Sequence, residues 1–291
     1  MDLEWNGSYS KAAHGYFNEI IEIGATKLDD QCRRIGSFHA LIRPVVSRKL
    51  TNIVTNLTGI EAEELQEGDT FEGAVRALQA FMGEDAILLT WSTTDLLVLL
   101  ENCRFFLKKE TIPFLELYAD AQAYCQARMS NDKRGRQISL TAACQLLGIS
   151  EEGLEAHRAQ DDSELTARVF ARLFEPDSFE VFIRPADKAF YEQLTFKTHI
   201  VSHVSNPLVK PEYLEFTCPA CGRPLKPSER WRFNSRMLCA EMPCECGRTY
   251  LGRVQIKVQY NGVNVRRRLV DKSAKAEEET SPDGGDDAPK A

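Results

Sequence analysis

Residues 19–27 read EIIEIGATK, and residues 37–43 read SFHALIR. Both stretches alternate and are rich in Ile, Ala and Leu. They read as two neighbouring strands joined by the polar turn from Leu28 to Ile35. A third strand is expected at 85–91 (DAILLTW), a continuous apolar run of buried-strand length. Helical periodicity follows at Phe71 to Met82, with Phe71, Val75, Leu78 and Phe81 on one face. It recurs at Leu96 to Phe106, Ser139 to Leu147 (Gly148 in the capping position) and Leu165 to Phe174. Early strands, then strands alternating with helices, predict an α/β domain ending near Phe174 or Asp177.

Acidic residues stand beside these apolar runs. Asp2-Leu3-Glu4-Trp5 opens the chain, TWSTTD ends on Asp95, and HRAQDD runs from His157 to Asp162. Carboxylates are rarely buried unless paired or metal-bound, so acids at the edge of a core suggest one cleft. Asp2 and Glu4, two apart in a strand, face the same side and can approach one ion. Asp95 precedes Leu96-Leu97-Val98 and so falls in the first turn of a helix, where negative charge is favoured. His157 and Asp162 are five apart and would diverge on one helix. The reading is His157 on a loop and Asp162 in the first turn of the following helix. Taken singly, each piece has a plain alternative: a surface strand for Asp2 and Glu4, an N-cap for Asp95, an exposed loop for His157. The ordered combination carries the information.

That combination, with FNEIIEIGATKLD at 17–29, resembles the DEDDh 3′-to-5′ exonucleases of the ribonuclease-T and proofreading type over roughly residues 1 to 175. With the trailing cysteines, it looks like bacterial members that carry a C-terminal zinc ribbon. The resemblance implies a ribonuclease-H-like mixed sheet flanked by helices. It implies Asp2, Glu4 and Asp162 as the main metal ligands, Asp95 supporting a second metal, and His157 as general base. Two hard cations about 3.5–4 Å apart suit phosphodiester hydrolysis, and an all-carboxylate set favours Mg²⁺ or Mn²⁺. The expected substrate is the 3′ end of single-stranded DNA or RNA. Two rivals stand beside it: a non-catalytic exonuclease-like module that binds nucleic acid or protein, and an oligonucleotide phosphodiesterase. One departure is evident. Only Met1 precedes Asp2, whereas strands average about 5–6 residues. The first strand is therefore expected to be short or to need upstream residues, with the α-amino group close to the acids.

Composition sets the rest. The 291 residues suggest about two domains. No apolar run is long enough for a membrane span, no leader pattern opens the chain, and a cytoplasmic protein is expected. Of nine cysteines, Cys32, Cys103, Cys125 and Cys144 are isolated, while Cys218, Cys221, Cys239, Cys244 and Cys246 cluster. CPAC at 218–221, then CEC at 244–246, resembles a zinc ribbon with one structural Zn²⁺. Cys218, Cys221 and Cys246 are the firm ligands. Cys244 is preferred as the fourth, with Cys239 the alternative. The expected organisation is an exonuclease domain at 1–177, a connection at 178–205, the ribbon at 206–262 and a disordered charged tail at 263–291. Residues 205–271 hold twelve Lys/Arg and six Asp/Glu, and 272–291 hold three Lys and six acids. The total of −7 thus leaves −10 on the first 204 residues. Around the knuckles, Arg223, Lys226, Arg230, Trp231, Arg232, Phe233, Arg236, Arg248, Tyr250, Arg253 and Lys257 interleave cations with aromatics. That mixture suits nucleic-acid binding, or else the aromatics are simply the ribbon's small core. Arg266-Arg267-Arg268 is equally readable as a solvated run.

Overall fold

The computed structural model describes residues 1–47, 49–129 and 137–272. It divides into two compact units, Met1–Thr195 and the chain from Phe196 onward. The first unit contains β1 (Asp2–Ser10), β2 (Gly15–Leu28), β3 (Arg34–Leu41), α1 (Asn52–Thr58), α2 (Ala62–Gln66) and α3 (Phe71–Met82). There follow β4 (Ile87–Thr90), α4 (Thr94–Asn102), a π-helical turn (Cys103–Leu107), β5 (Leu117–Asp120), α5 (Ala121–Met129) and α6 (Leu140–Leu147). The unit closes with α7 (Ala159–Leu173), α8 (Pro176–Glu180), β6 (Arg184–Pro185) and α9 (Lys188–Thr195).

β2 is the central strand of an antiparallel sheet ordered β1-β2-β3. Its Ile20, Ile21 and Ile23 are fully buried, so both faces are covered, and the alternation read at 19–27 does not appear as alternating burial. β4 and β5 pair in parallel and β6 joins β5 antiparallel. The Met1 ammonium donates to the Leu89 carbonyl at 2.8 Å, linking the start of β1 to β4. A β-bulge interrupts the β1–β2 ladder: Glu4 pairs with Glu22 but Trp5 pairs with Ile20, leaving Ile21 as the extra residue. Ile21 packs with Ile60 and Leu65. Asn102 secures β2 beside the bulge, accepting from the Ile20 N–H and donating to the Asn18 carbonyl.

Three expectations about residues 1–205 change. The first strand is not confined to residues 1–5. It runs nine residues because the polar stretch Asn6 to Ser10 pairs with Gly15 to Glu19 as a hairpin. The helix expected to reach Phe106 ends at Asn102 and continues as the π turn. Residues 178–205 are not merely a connection: Phe179 and Tyr191 are buried in the first unit and Val201 in the second.

The second unit contains β7 (His199–Ile200), α10 (Pro211–Leu214), β8 (Phe216–Thr217), β9 (Pro224–Leu225), β10 (Arg232–Asn234), β11 (Met237–Pro243), β12 (Thr249–Gln259) and β13 (Gly262–Asp271). Its main sheet is ordered β10-β11-β12-β13, with β7 also on β12. The tail expected from 263 is therefore wrong as far as Asp271. The arginine run conceals an alternation, in which Val265 and Leu269 pack onto the two clusters of this unit's core. Residues 273–291 lie outside the described residues. Trp231 and Tyr250 belong to that core, with Tyr250 buried and Trp231 stacked on Phe216 at 6.4 Å between ring centroids. Here the core reading of these aromatics prevails over base stacking. No helix among the described residues is long and apolar enough to cross a membrane.

Candidate active site

Five acids and a histidine meet where β1, β2, α4 and α7 approach one another. Glu4 on β1 and Asp162 in the first turn of α7 come together with His157, which sits on the loop before α7. Their ligand atoms all lie within 4.8 Å of one another. His157 has a left-handed φ of 64° and is exposed. Its backbone and ring lie near enough to the Asp162 carboxylate to lower that acid's pKa, against the burial that raises it, and the Glu155 N–H donates to Asp161 at 2.8 Å, tying the loop to the helix start. Asp2 is outside that trio but close enough to be repelled by Asp95, Asp162 and Glu4. Asp95 is buried in the first turn of α4, near enough to the Leu3 backbone for it to lower the Asp95 pKa against burial. The turn before it is sharp: Ser92 has φ 107°, and its carbonyl accepts from the hydroxyls of Thr90 and Tyr118.

These acids are costly to ionise together. Burial, then repulsion from Asp95, Asp162 and Glu4, pushes Asp2 well above the ordinary carboxylate range. Burial, then the Asp162, Glu22 and Asp95 carboxylates, raises Glu4 to about 8. Burial raises Asp95 to about 6 and also raises Asp162. Close carboxylate oxygens with this mutual repulsion are a donor set that fits hard divalent cations.

Glu22 is a further acid, read from the sequence as part of a strand and given no role. It is fully buried on β2 opposite Glu4. It accepts from His39 Nε2 at 2.7 Å, the Ala159 N–H at 2.9 Å, and Arg158 Nε and Nη2, both at 3.0 Å. Burial alone would raise its pKa; the His39, Ala159 and Arg158 hydrogen bonds outweigh it and hold it low. Glu22 thus clamps the start of α7, and with it the loop of His157, to the central strand. Gly24 makes the approach possible. A Cβ there would lie 2.1 Å from the Ala159 carbonyl carbon and 2.2 Å from its oxygen and from the Gln160 nitrogen. The signal was available: a glycine inside a strand pattern marks close backbone approach.

In the second unit, Cys218, Cys221, Cys244 and Cys246 form one cluster. Their closest sulfur pairs, Cys221–Cys244 and Cys218–Cys246, are 3.5 and 3.7 Å apart. A tetrahedral zinc with Zn–S of about 2.3 Å requires sulfurs about 3.8 Å apart, so the set fits. The two knuckles repeat one pattern. Gly222 and Gly247 adopt left-handed φ and donate to the Cys218 and Cys244 carbonyls. The Cys218 and Cys244 N–H groups donate to the Arg223 and Arg248 carbonyls. Cys239 stands apart on β11, its sulfur near the Asn234 and Met237 carbonyls.

Comparison with known proteins agrees with this architecture. A protein-family model for exonucleases (RNase_T) matches residues 1–170. The "Probable 3'-5' exonuclease KapD" of Bacillus subtilis is 31% identical over 183 residues, covering 61% of this chain and 83% of its own. The PolC-type DNA polymerase III of Thermotoga petrophila is 30% identical over 159 residues, 54% of this chain but only 11% of the polymerase. Among solved structures, the nuclease domain of 3'hExo, a DEDDh family member bound to rAMP, superposes with a TM-score of 0.52 at 21% identity. That match covers 64% of this chain and 94% of that one. Family model, relatives and fold coincide on the unit that gathers the acids: the chain belongs to the RNase_T exonuclease family.

Proposed function

We propose that this protein is a metal-dependent 3′-to-5′ exonuclease acting on the free 3′ ends of single-stranded DNA or RNA. The observation that carries the reading is the convergence of Glu4, Asp162 and His157 within 4.8 Å. Asp2 and Asp95 lie within electrostatic reach of the same point. In this reading Asp2, Glu4 and Asp162 hold two Mg²⁺ or Mn²⁺ ions, and Asp95 supports the second. Bound there, the cations would neutralise charge on the attacking and departing oxygens. His157, exposed at the mouth of the cluster, takes the proton of the attacking water at a ring nitrogen. The Asp161 carboxylate, accepting from the Glu155 N–H at 2.8 Å, anchors the loop that presents it. Glu22 and Arg158 hold the helix start still while the proton moves. Cys218, Cys221, Cys244 and Cys246 hold one structural zinc, since four protein ligands leave no open position. The nine unpaired cysteines favour a reducing compartment, hence the cytoplasm.

The test is digestion of 5′-labelled single-stranded DNA and RNA with and without Mn²⁺. Stepwise shortening from the 3′ end is expected only with metal. Asp162→Asn should abolish it. His157→Ala should lower turnover about 10²–10⁴-fold with little change in metal affinity. An Asp162→Asn protein digesting at the wild-type rate would sink the reading.

A further inference from the structure

The main sheet of the second unit has one face on its core and one face open. Pairing assigns the residues. Leu238, Val254 and Arg267 stand on the covered side, where the Arg267 guanidinium lies 4.8 Å from the centre of the Phe216 ring. Their neighbours along each strand point the other way. On that open face Arg232, Cys239, Arg253 and Arg268 form one row across all four strands. The next rows bring Arg266 opposite Gln255 and Lys257 opposite Asn264. Successive rows are about 7 Å apart.

Arg253 directly opposite Arg268 is a like-charge cross-strand pair, which destabilises a sheet unless an anion offsets it. Among the described residues, no such anion stands beside the pair. Glu241 is the one acid on the open face of these strands, and Lys272 engages it at 3.0 Å. Arg232 is paired with Glu229. Among the described residues, no carboxylate pairs with Arg253, Lys257, Arg266 or Arg268, and the Arg253 Nε is buried without a hydrogen-bond partner. Arg266 and Arg268 are exposed. Such a face is complementary to a linear polyanion.

We propose that the open face of the β10–β13 sheet binds the phosphodiester backbone of a nucleic-acid strand, through Arg253, Lys257, Arg266 and Arg268. The choice of a nucleic acid over another polyanion rests on the exonuclease reading above. It also answers a physical difficulty: the first 204 residues carry a net charge of −10 and repel phosphate. Of the cation and aromatic mixture read around the knuckles, Arg253 and Lys257 belong to this face, whereas Trp231 and Tyr250 are spent on the core.

The experiment is fluorescence anisotropy of the full, zinc-loaded chain with 5′-fluorescein 20-mers of single-stranded DNA and RNA of one sequence. Salt is varied, and no magnesium or manganese is added, so binding is read without turnover. The variant is Lys257→Gln/Arg266→Gln/Arg268→Gln. Its affinity should fall about tenfold or more at low salt, and the slope of log affinity against log salt should shrink by about 2, since each phosphate contact on a single strand contributes about 0.7. A control triple of exposed cations in the first unit, Arg76→Gln/Lys109→Gln/Lys188→Gln, should keep the wild-type slope. If the first triple loses zinc, single Arg266→Gln and Arg268→Gln variants replace it, each lowering the slope by about 0.7. Loss on either strand supports the proposal, and the two arms say which strand is preferred. An unchanged slope, or an equal loss in the control triple, overturns it. So does wild-type binding to phosphatidylserine vesicles but to neither strand. A protein that binds strands through this face yet digests nothing would sink the exonuclease reading and leave this one standing.

Discussion

Replacing Gly24 by alanine adds one methyl group at the point where the central strand meets α7. The added carbon would sit 2.1–2.2 Å from three backbone atoms of Ala159 and Gln160. Ordinary contact between such atoms is about 3.5 Å, so the strand and the helix start must part by roughly 1.3 Å. Backbone cannot yield as a flexible side chain does, and overpacking of this kind costs about 1–3 kcal/mol. In a unit of this size that lowers the melting temperature by about 2–12 °C. The effect on the site is larger than the effect on the fold. α7 carries Asp162, and its preceding loop carries His157, both held within 4.8 Å of Glu4, which is on the sheet. Displacing one partner of a catalytic constellation by about 1 Å can cost up to 10²-fold in rate. Gly24→Ala should therefore stay folded, bind zinc normally, and lose about 10²-fold in manganese-dependent digestion of a labelled single strand at saturating substrate. Digestion within twofold of wild type, with an unchanged melting temperature, would refute the close approach as the determinant of site geometry.

Two further outcomes follow from the buried acids. Glu22→Gln removes the charge that Arg158 pairs with, and breaking a buried pair costs about 3–5 kcal/mol. A fall in melting temperature of about 6 °C or more is expected by thermal denaturation, and a fall under 2 °C would contradict the clamp. Glu4 has its folded pKa raised from 4.5 to about 8, so between those values the folded state holds a proton that the unfolded chain has released. Its contribution to stability without metal therefore declines as pH rises through that window. Metal-free Glu4→Gln should melt higher than wild type at pH 8 and match it near pH 4.5, with the order reversed in saturating Mn²⁺. A metal-free variant less stable than wild type at pH 8 would show that Glu4 is not strained by its neighbours. Comparing variant with wild type cancels the Met1 ammonium, whose lowered pKa acts in the opposite sense.

Much of this was legible before the structure. The strands read at 19–27 and 37–43, found at 15–28 and 34–41, the helix at Phe71–Met82 and the Gly148 cap follow from local pattern, because apolar period and capping chemistry are properties of neighbouring residues. The loop position of His157 and the first-turn position of Asp162 follow from the same rules. What was not legible depends on partners distant in sequence. Glu22 looks like an ordinary polar residue in a strand, and only the arrival of Arg158 and the Ala159 N–H, 136 and 137 residues later, makes it a clamp. The hairpin extension of β1 was missed because Asn6 to Ser10 has no apolar alternation; pairing with β2, not burial, makes it a strand. The same holds for β13, where three consecutive arginines mask the inward Val265 and Leu269. The choice between Cys239 and Cys244 needed the direction of a side chain on β11, which spacing does not supply.

The bulge at Ile21 has a consequence for how the chain can vary. A ladder without an extra residue transmits any slip along its whole length, so a change at the hairpin tip would reach Asp2 and Glu4 as a change of face. Here the count of residues is reset between Trp5 and Glu4, and Asn102 grips the strand at that place. The hairpin from Trp5 to Ile20 and the acid-bearing end from Met1 to Glu4 thus keep separate phases. The tip around Lys11 to His14 is accordingly free to lengthen, shorten or acquire new chemistry while the spacing of the acids stays constant.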